Sequence, residues 1–113
     1  MHEFGIAEGI LKTALDTAAQ HGAGKVELVR LRIGALAGVV DEALTFAFEA
    51  LAEDTPASGA RLEIEPVPVR CYCAGCDREF EPPRFSYRCP ACQALSTQVR
   101  SGRELQLVSI EVS

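Results

Sequence analysis

Four cysteines in two C-x-x-C pairs, Cys73-Ala74-Gly75-Cys76 and Cys89-Pro90-Ala91-Cys92, constrain this chain more than any other feature. A structural zinc ion takes four tetrahedral ligands, and each C-x-x-C turn presents two thiolates. The twelve residues between the pairs let the chain fold back on itself. The spacing therefore predicts one structural Zn(2+) per chain on Cys73, Cys76, Cys89 and Cys92. The backbone of each knuckle should turn its amides toward the sulfurs, and Gly75 should ease the first turn. The same sulfur tetrahedron also suits iron, which makes a red electron carrier the chemical alternative, distinguished by colour. Four buried but unligated cysteines fit poorly, because the short segment around them has little else to offset its ordering entropy. Cys71, the fifth, reads as a small residue at a strand end rather than a further ligand.

Outside that segment the apolar pattern is that of an α+β protein. Phe4, Ala7, Leu11, Ala14 and Ala18 recur at helical spacing, and His21-Gly22-Ala23-Gly24 ends the helix they define. Val29, Leu31 and Ile33 alternate with Arg30 and Arg32 in a first strand. Asp41 is a plausible cap for a second helix with Leu44, Ala47, Phe48 and Leu51 on its stripe. Arg61 to Val69 reads as a second strand, pushed to a sheet edge or an early end by Pro66 and Pro68. Glu104 to Val112 reads as a third, with a bulge expected near Leu107 and Val108. The pattern predicts a three-stranded sheet packed on two helices, with an inserted zinc-ribbon-like module. It divides the chain into residues 1–70 plus 96–113, the α+β domain that the terminal strand completes, and residues 71–95, the zinc module.

Several functions are disfavoured by the same sequence. A net charge of −5 is a poor match for a phosphate backbone, and Arg78, Arg84 and Arg88 in the module alternate with Asp77, Glu79 and Glu81, so no nucleic acid is expected. No apolar run approaches the ~20 residues of a spanning helix, and no membrane partner is expected. Cysteines in metal-ligand spacing without a secretory signal point to the cytoplasm. No enzyme is expected either: there is no nucleophile with an evident base, and Gly22-Ala23-Gly24-Lys25 lacks the spacing and the strand-loop-helix order of a phosphate loop.

The opening Met1-His2-Glu3 places an amine, an imidazole and two amides at one helix end. The Met1 amine and the deprotonated His2 amide close a five-membered chelate ring, His2 Nδ1 closes a six-membered one, and the Glu3 amide completes a plane. Four planar nitrogens suit Ni(2+) or Cu(2+) rather than zinc. A bulky residue at position two should also protect Met1 from removal.

MHEFGIAEGI at the start, LRIGALAGV before the Phe-rich helix, and the late CxxC…CxxC followed by ELQLVSIEV together resemble the HypA family of hydrogenase nickel-incorporation proteins, over essentially the full chain. The resemblance implies a metallochaperone carrying Ni(2+) as transient cargo to the large subunit of nickel-iron hydrogenase, with a GTPase accessory protein of that maturation pathway. His2 would be the essential nickel ligand, with the Met1 amine and the Glu3 backbone or side chain beside it. The family's zinc ligands fall on Cys73, Cys76, Cys89 and Cys92, while Cys71 has no family role. His21 reads as a capping or solvated residue. A homodimer through an edge strand is possible. The alternative function is a zinc-ribbon protein-protein adaptor without a nickel site of its own.

Overall fold

A computed structural model describes residues 2–96 and 98–113. Elements run in the order α1 (Glu3–Gln20), β1 (Val26–Gly34), α2 (Asp41–Ala52), β2 (Arg61–Val67), β3 (Arg70–Cys73), β4 (Arg78–Phe80), a short 3-10 turn (Pro83–Phe85), β5 (Gln98–Ser101) and β6 (Leu105–Val112). The predicted α+β class with two helices and a three-stranded sheet is present, the sheet ordered β2-β1-β6. The chain forms two compact units.

The first unit comprises the described residues of Met1–Arg32, Gly38–Glu65 and Gln106–Ser113. In α1 the buried positions are Ala7, Leu11, Ala14 and Ala18, and in α2 they are Leu44, Ala47, Phe48 and Ala52. Alanine-rich stripes let the two helices approach closely, with Phe48 and Leu44 filling the layer. The end of α1 is a Schellman motif. Ala23 N–H donates to Ala18 O at 2.9 Å and Gly22 N–H to Ala19 O at 3.1 Å, with Gly22 in the left-handed region at φ 69°. His21 adds its ring, Nδ1 donating to Thr17 O at 2.9 Å. At the other helix, Val40 rather than Asp41 is the N-cap, and no side chain of α2's own first turn caps it. Asp41 instead sits in the first turn, where a negative charge still meets the positive helix end.

β1 is the central strand. Val26 N–H donates to Pro56 O (2.9 Å) and Ala35 N–H to Val67 O (3.0 Å), so β1 and β2 climb together as parallel neighbours. Such a pair needs a crossover connection, which α2 supplies. Lys25 and Ser113 exchange a reciprocal pair of bonds (3.1 and 2.9 Å), and Gly34 N–H donates to Glu104 O (2.7 Å), so β6 runs antiparallel. Val29, Leu31 and Ile33 are buried as their alternation predicts. On the opposite face Arg30 lies between Glu63 (3.3 Å) and Glu111 (2.8 Å), and Arg32 meets Glu65 (3.2 Å). Exposed pairs of this kind add little stability each, but one charge from each strand selects this register over its neighbours. β2 does lie at the sheet edge, and it stops at Val67 because Pro68 has no N–H to continue the ladder. In β6 the alternation breaks at Ser109–Ile110, both half-buried, rather than at Leu107–Val108.

The second unit comprises Ile33–Ala37 and Pro66–Leu105. It contains a second three-stranded sheet, ordered β4-β3-β5, that periodicity did not predict. β3 pairs antiparallel on both sides, Cys71 opposite Phe80 on β4 and opposite Val99 on β5. Strands of three and four residues are too short to show alternation against their surroundings. Gly34 is fixed by a close approach: a Cβ there would lie 2.1 Å from the carbonyl carbon and oxygen of Gly102. Leu36 N–H donates to that same oxygen at 2.7 Å, so the backbones cannot separate without losing the bond. Gly34→Ala should therefore lower unfolding free energy by about 2–3 kcal/mol, the range of overpacking a tight site. Urea denaturation checks this, and a loss below about 0.5 kcal/mol would show that the contact relaxes freely.

Candidate metal centre

The first knuckle is the β3–β4 hairpin end, since Cys73 pairs with Arg78 and the four residues between them form the turn. Gly75 does not supply a left-handed residue to this turn; Asp77 does, at φ 52°. The second knuckle repeats the arrangement with Gln93, at φ 69°, directly after Cys92. In both, the chain reverses one residue beyond the second cysteine. Asp77 suits this conformation, and it is held there by the Tyr72 hydroxyl, which donates to Oδ1. Gln93 is held by its own N–H to Cys89 O (2.8 Å) and by Arg88, whose guanidinium donates to Gln93 O (2.8 Å). Ser96 ties this loop to β3, its hydroxyl donating to Tyr72 O at 2.7 Å.

These turns bring the Sγ atoms of Cys73, Cys76, Cys89 and Cys92 within 4.8 Å of one another. The Cys73–Cys92 pair is 3.5 Å apart and the Cys76–Cys89 pair 3.9 Å. A tetrahedron with Zn–S bonds of about 2.3 Å has edges of about 3.8 Å, so the cluster has the dimensions of a zinc site. Its chemistry agrees. The amides of Cys92 and Ala91 point at the Cys89 sulfur and hold that thiol down at about 6, as knuckle geometry predicts. Cys76, hydrogen-bonded to the Cys92 and Cys89 sulfurs, is pushed up to about 12. Four thiols so close cannot all ionise alone, and a divalent cation removes the conflict. Spacing, sulfur distances and donor chemistry of these four cysteines are those of a structural zinc site.

Cys71 stands outside that group. It is fully buried in the cluster of Val69, Cys71, Cys73, Phe80 and Cys89, against which Leu36, Tyr87 and Val99 pack. The module thus has a small apolar core, to which cysteines themselves contribute, where the sequence suggested almost none. On the other face of this sheet Arg100 stacks on Tyr72 at 4.0 Å, and Glu79 lies between Arg70 (3.6 Å) and Arg100 (3.7 Å).

Of the N-terminal trio, Met1 lies outside the described residues. His2 is the exposed N-cap of α1, extended at φ −99° and ψ 90°, and its carbonyl accepts from Ile6 N–H at 3.1 Å. Glu3 is the first helical residue, so its own N–H has no intrahelical acceptor. Its carboxylate does have a partner: Oε2 accepts from Val40 N–H at 3.2 Å, which lowers the pKa of the acid below the usual carboxylate value. His2, Glu3, Phe4, Ala43 and Phe46 line a groove of about 330 Å³. Phe4 meets Phe46 edge to face, centroids 6.4 Å apart. Val40 and Phe46 were not singled out by sequence, and nothing in a local pattern marks a contact across 37 residues.

Fold and site define a small α+β metalloprotein in which a zinc-stapled β unit accompanies a helical one. Residues 1–112 match the family profile described as HypA, hydrogenase/urease nickel incorporation, metallochaperone. A hydrogenase maturation factor HypA from Picosynechococcus sp. is 50% identical over 112 residues and covers 99% of each chain. Another from Chloroflexus aurantiacus is 49% identical over 113 residues and covers 98% of each. The solution structure of the Ni metallochaperone HypA from Helicobacter pylori superposes with a TM-score of 0.68 at 25% identity, over 99% of this chain and 97% of that one. A second HypA solution structure gives 0.71 at 27% identity, over 100% and 97%. The chain belongs to the HypA family of nickel metallochaperones.

Cys73→Ala leaves three ligands for a four-ligand ion and a cavity in the module core. The variant should lose its zinc, measured by elemental analysis, and become sensitive to protease between residues 66 and 105. A variant that keeps both zinc and protease resistance would contradict the assignment.

Proposed function

We propose that this chain binds Ni(2+) at its N-terminus, through the Met1 amine, the His2 amide and Nδ1, and the Glu3 amide, and delivers it to the large subunit of nickel-iron hydrogenase. Family membership over residues 1–112 is the observation that carries the reading. Two local features support it. The Glu3 N–H, at the helix start, has no intrahelical acceptor and faces only its own carboxylate, so deprotonating it for a metal breaks no helical hydrogen bond. His2 stands outside the helix in an extended conformation, free to wrap back. Nickel is the cargo here, and zinc is the resident ion.

The role is carriage rather than turnover. A site at a chain terminus opens by local fraying, which favours release to an acceptor over permanent retention. The receiving partners are the GTPase accessory protein and the hydrogenase large subunit, in the cytoplasm. Among the described residues no helix is long and apolar enough to cross a membrane. We include self-association through the β6 edge, where Leu105, Val108 and Val112 are exposed. A division of labour follows, with nickel on the helical unit and zinc on the cysteine unit.

His2→Ala should abolish nickel binding in calorimetry of the untagged chain while zinc content and thermal stability stay unchanged. Because amine and amides must lose protons to bind, nickel affinity should fall as pH is lowered. Unchanged nickel affinity in His2→Ala would sink the N-terminal chelate, and a parent chain that binds zinc but no nickel would favour the adaptor reading.

A further inference from the structure

The start of α2 lacks a cap of its own. In a capping box the third helical residue is a Glu or Gln whose side chain reaches back to the N-cap N–H. Here Val40 is the N-cap and the third helical residue is Ala43, which has no such side chain. The acceptor for Val40 N–H comes from another helix: Glu3 Oε2, at 3.2 Å. One residue along, Phe4 packs edge to face on Phe46 of α2. The first two residues of α1 are thus both held to α2, one by a polar contact and one by an aromatic contact. The backbone nitrogen of Glu3 lies on the same residue as the anchored carboxylate, and His2 precedes it directly.

We propose that the Glu3 carboxylate is a positioning group and not a nickel ligand: it completes the cap of α2 in trans and so holds the His2 and Glu3 backbone in place for the metal. This inference rests on the N-terminal chelate proposed above. It separates the two ways in which Glu3 serves the site. The nitrogen touches the metal, while the carboxylate acts through Val40. Loss of the tie leaves the four nitrogens chemically intact but frees the end of α1 to fray, so that binding must also order the terminus.

The test uses the untagged full chain, nickel titration by calorimetry, and the visible d–d band of the nickel complex as a report on its ligands. Glu3→Gln keeps an oxygen acceptor for Val40 N–H and removes the charge, whereas Glu3→Ala removes both. Val40→Pro removes the donor and leaves Glu3 untouched. Glu3→Gln should bind nickel within about twofold of the parent. Glu3→Ala and Val40→Pro should each weaken binding by about three- to tenfold, the worth of one ordinary exposed hydrogen bond. Combined, the last two should cost no more than either alone, and every variant should keep the parent's d–d band.

Opposite results are equally readable. A Glu3→Gln variant that loses the band, or loses as much affinity as Glu3→Ala, makes the carboxylate a ligand and overturns the proposal. Parent-like binding by both Glu3→Ala and Val40→Pro, or additive losses in the pair, overturns it as well. Far-UV circular dichroism guards against misfolding; should Val40→Pro lose helix, Glu3→Gln against Glu3→Ala alone decides. A parent chain that takes no nickel fails the N-terminal chelate itself, a different outcome from a parent that binds and a Glu3→Gln variant that does not.

Discussion

Four sulfurs within 4.8 Å of one another create the conflict on which the cysteine unit is built. Protonated, they gain little from their proximity; ionised without a cation, they repel. A single divalent ion turns that conflict into the strongest contact available to residues whose apolar core, among the described residues, is five buried side chains and a few neighbours. The surrounding details all serve this cluster. Amides of Ala91 and Cys92 stabilise one thiolate, left-handed Asp77 and Gln93 reverse the chain after each pair, and short strands β3, β4 and β5 fix where the two turns begin. Cys71 belongs to this account as packing, on the same face of β3 as a ligand but outside the sulfur group.

The helical unit solves a different problem. Its core of Leu44, Phe48 and β1 valines and leucines is ordinary, and it needs no metal to explain it. What it offers is a helix start whose first residue is fastened to a second helix while its backbone nitrogen has no intrahelical acceptor. Rigid support combined with a chain end is suited to an ion that must be held and then surrendered. On the proposed reading zinc and nickel make opposite demands on the fold, closure in one unit and an openable terminus in the other.

Much of this was legible in the sequence because the signals were local. The i, i+4 stripe of α1, the alternation of β1, the glycine after His21 and the spacing of the four cysteines each follow from a few neighbouring residues, and each is present in the structure. What escaped depends on distant partners. β4 and β5 are too short to carry a period and exist because β3 lies between them. Asp41 looked like a cap from its type, yet Val40 takes the position and Glu3 supplies the acceptor from far along the chain. Gly75 was the obvious turn residue by composition, but the turn closes two positions later, where Asp77 gains a bond from Tyr72. The first three residues show a chelating donor set by type alone, but family resemblance, not periodicity, marks them as a nickel site.

The central claim is that one chain holds two metals at two places of different chemistry. Native mass spectrometry of the untagged protein after exposure to nickel tests it most directly, with a second sample acetylated at the terminal amine. The account predicts one zinc and one nickel per chain, and zinc alone after acetylation. Nickel that survives acetylation, or that appears only in place of zinc, would contradict it.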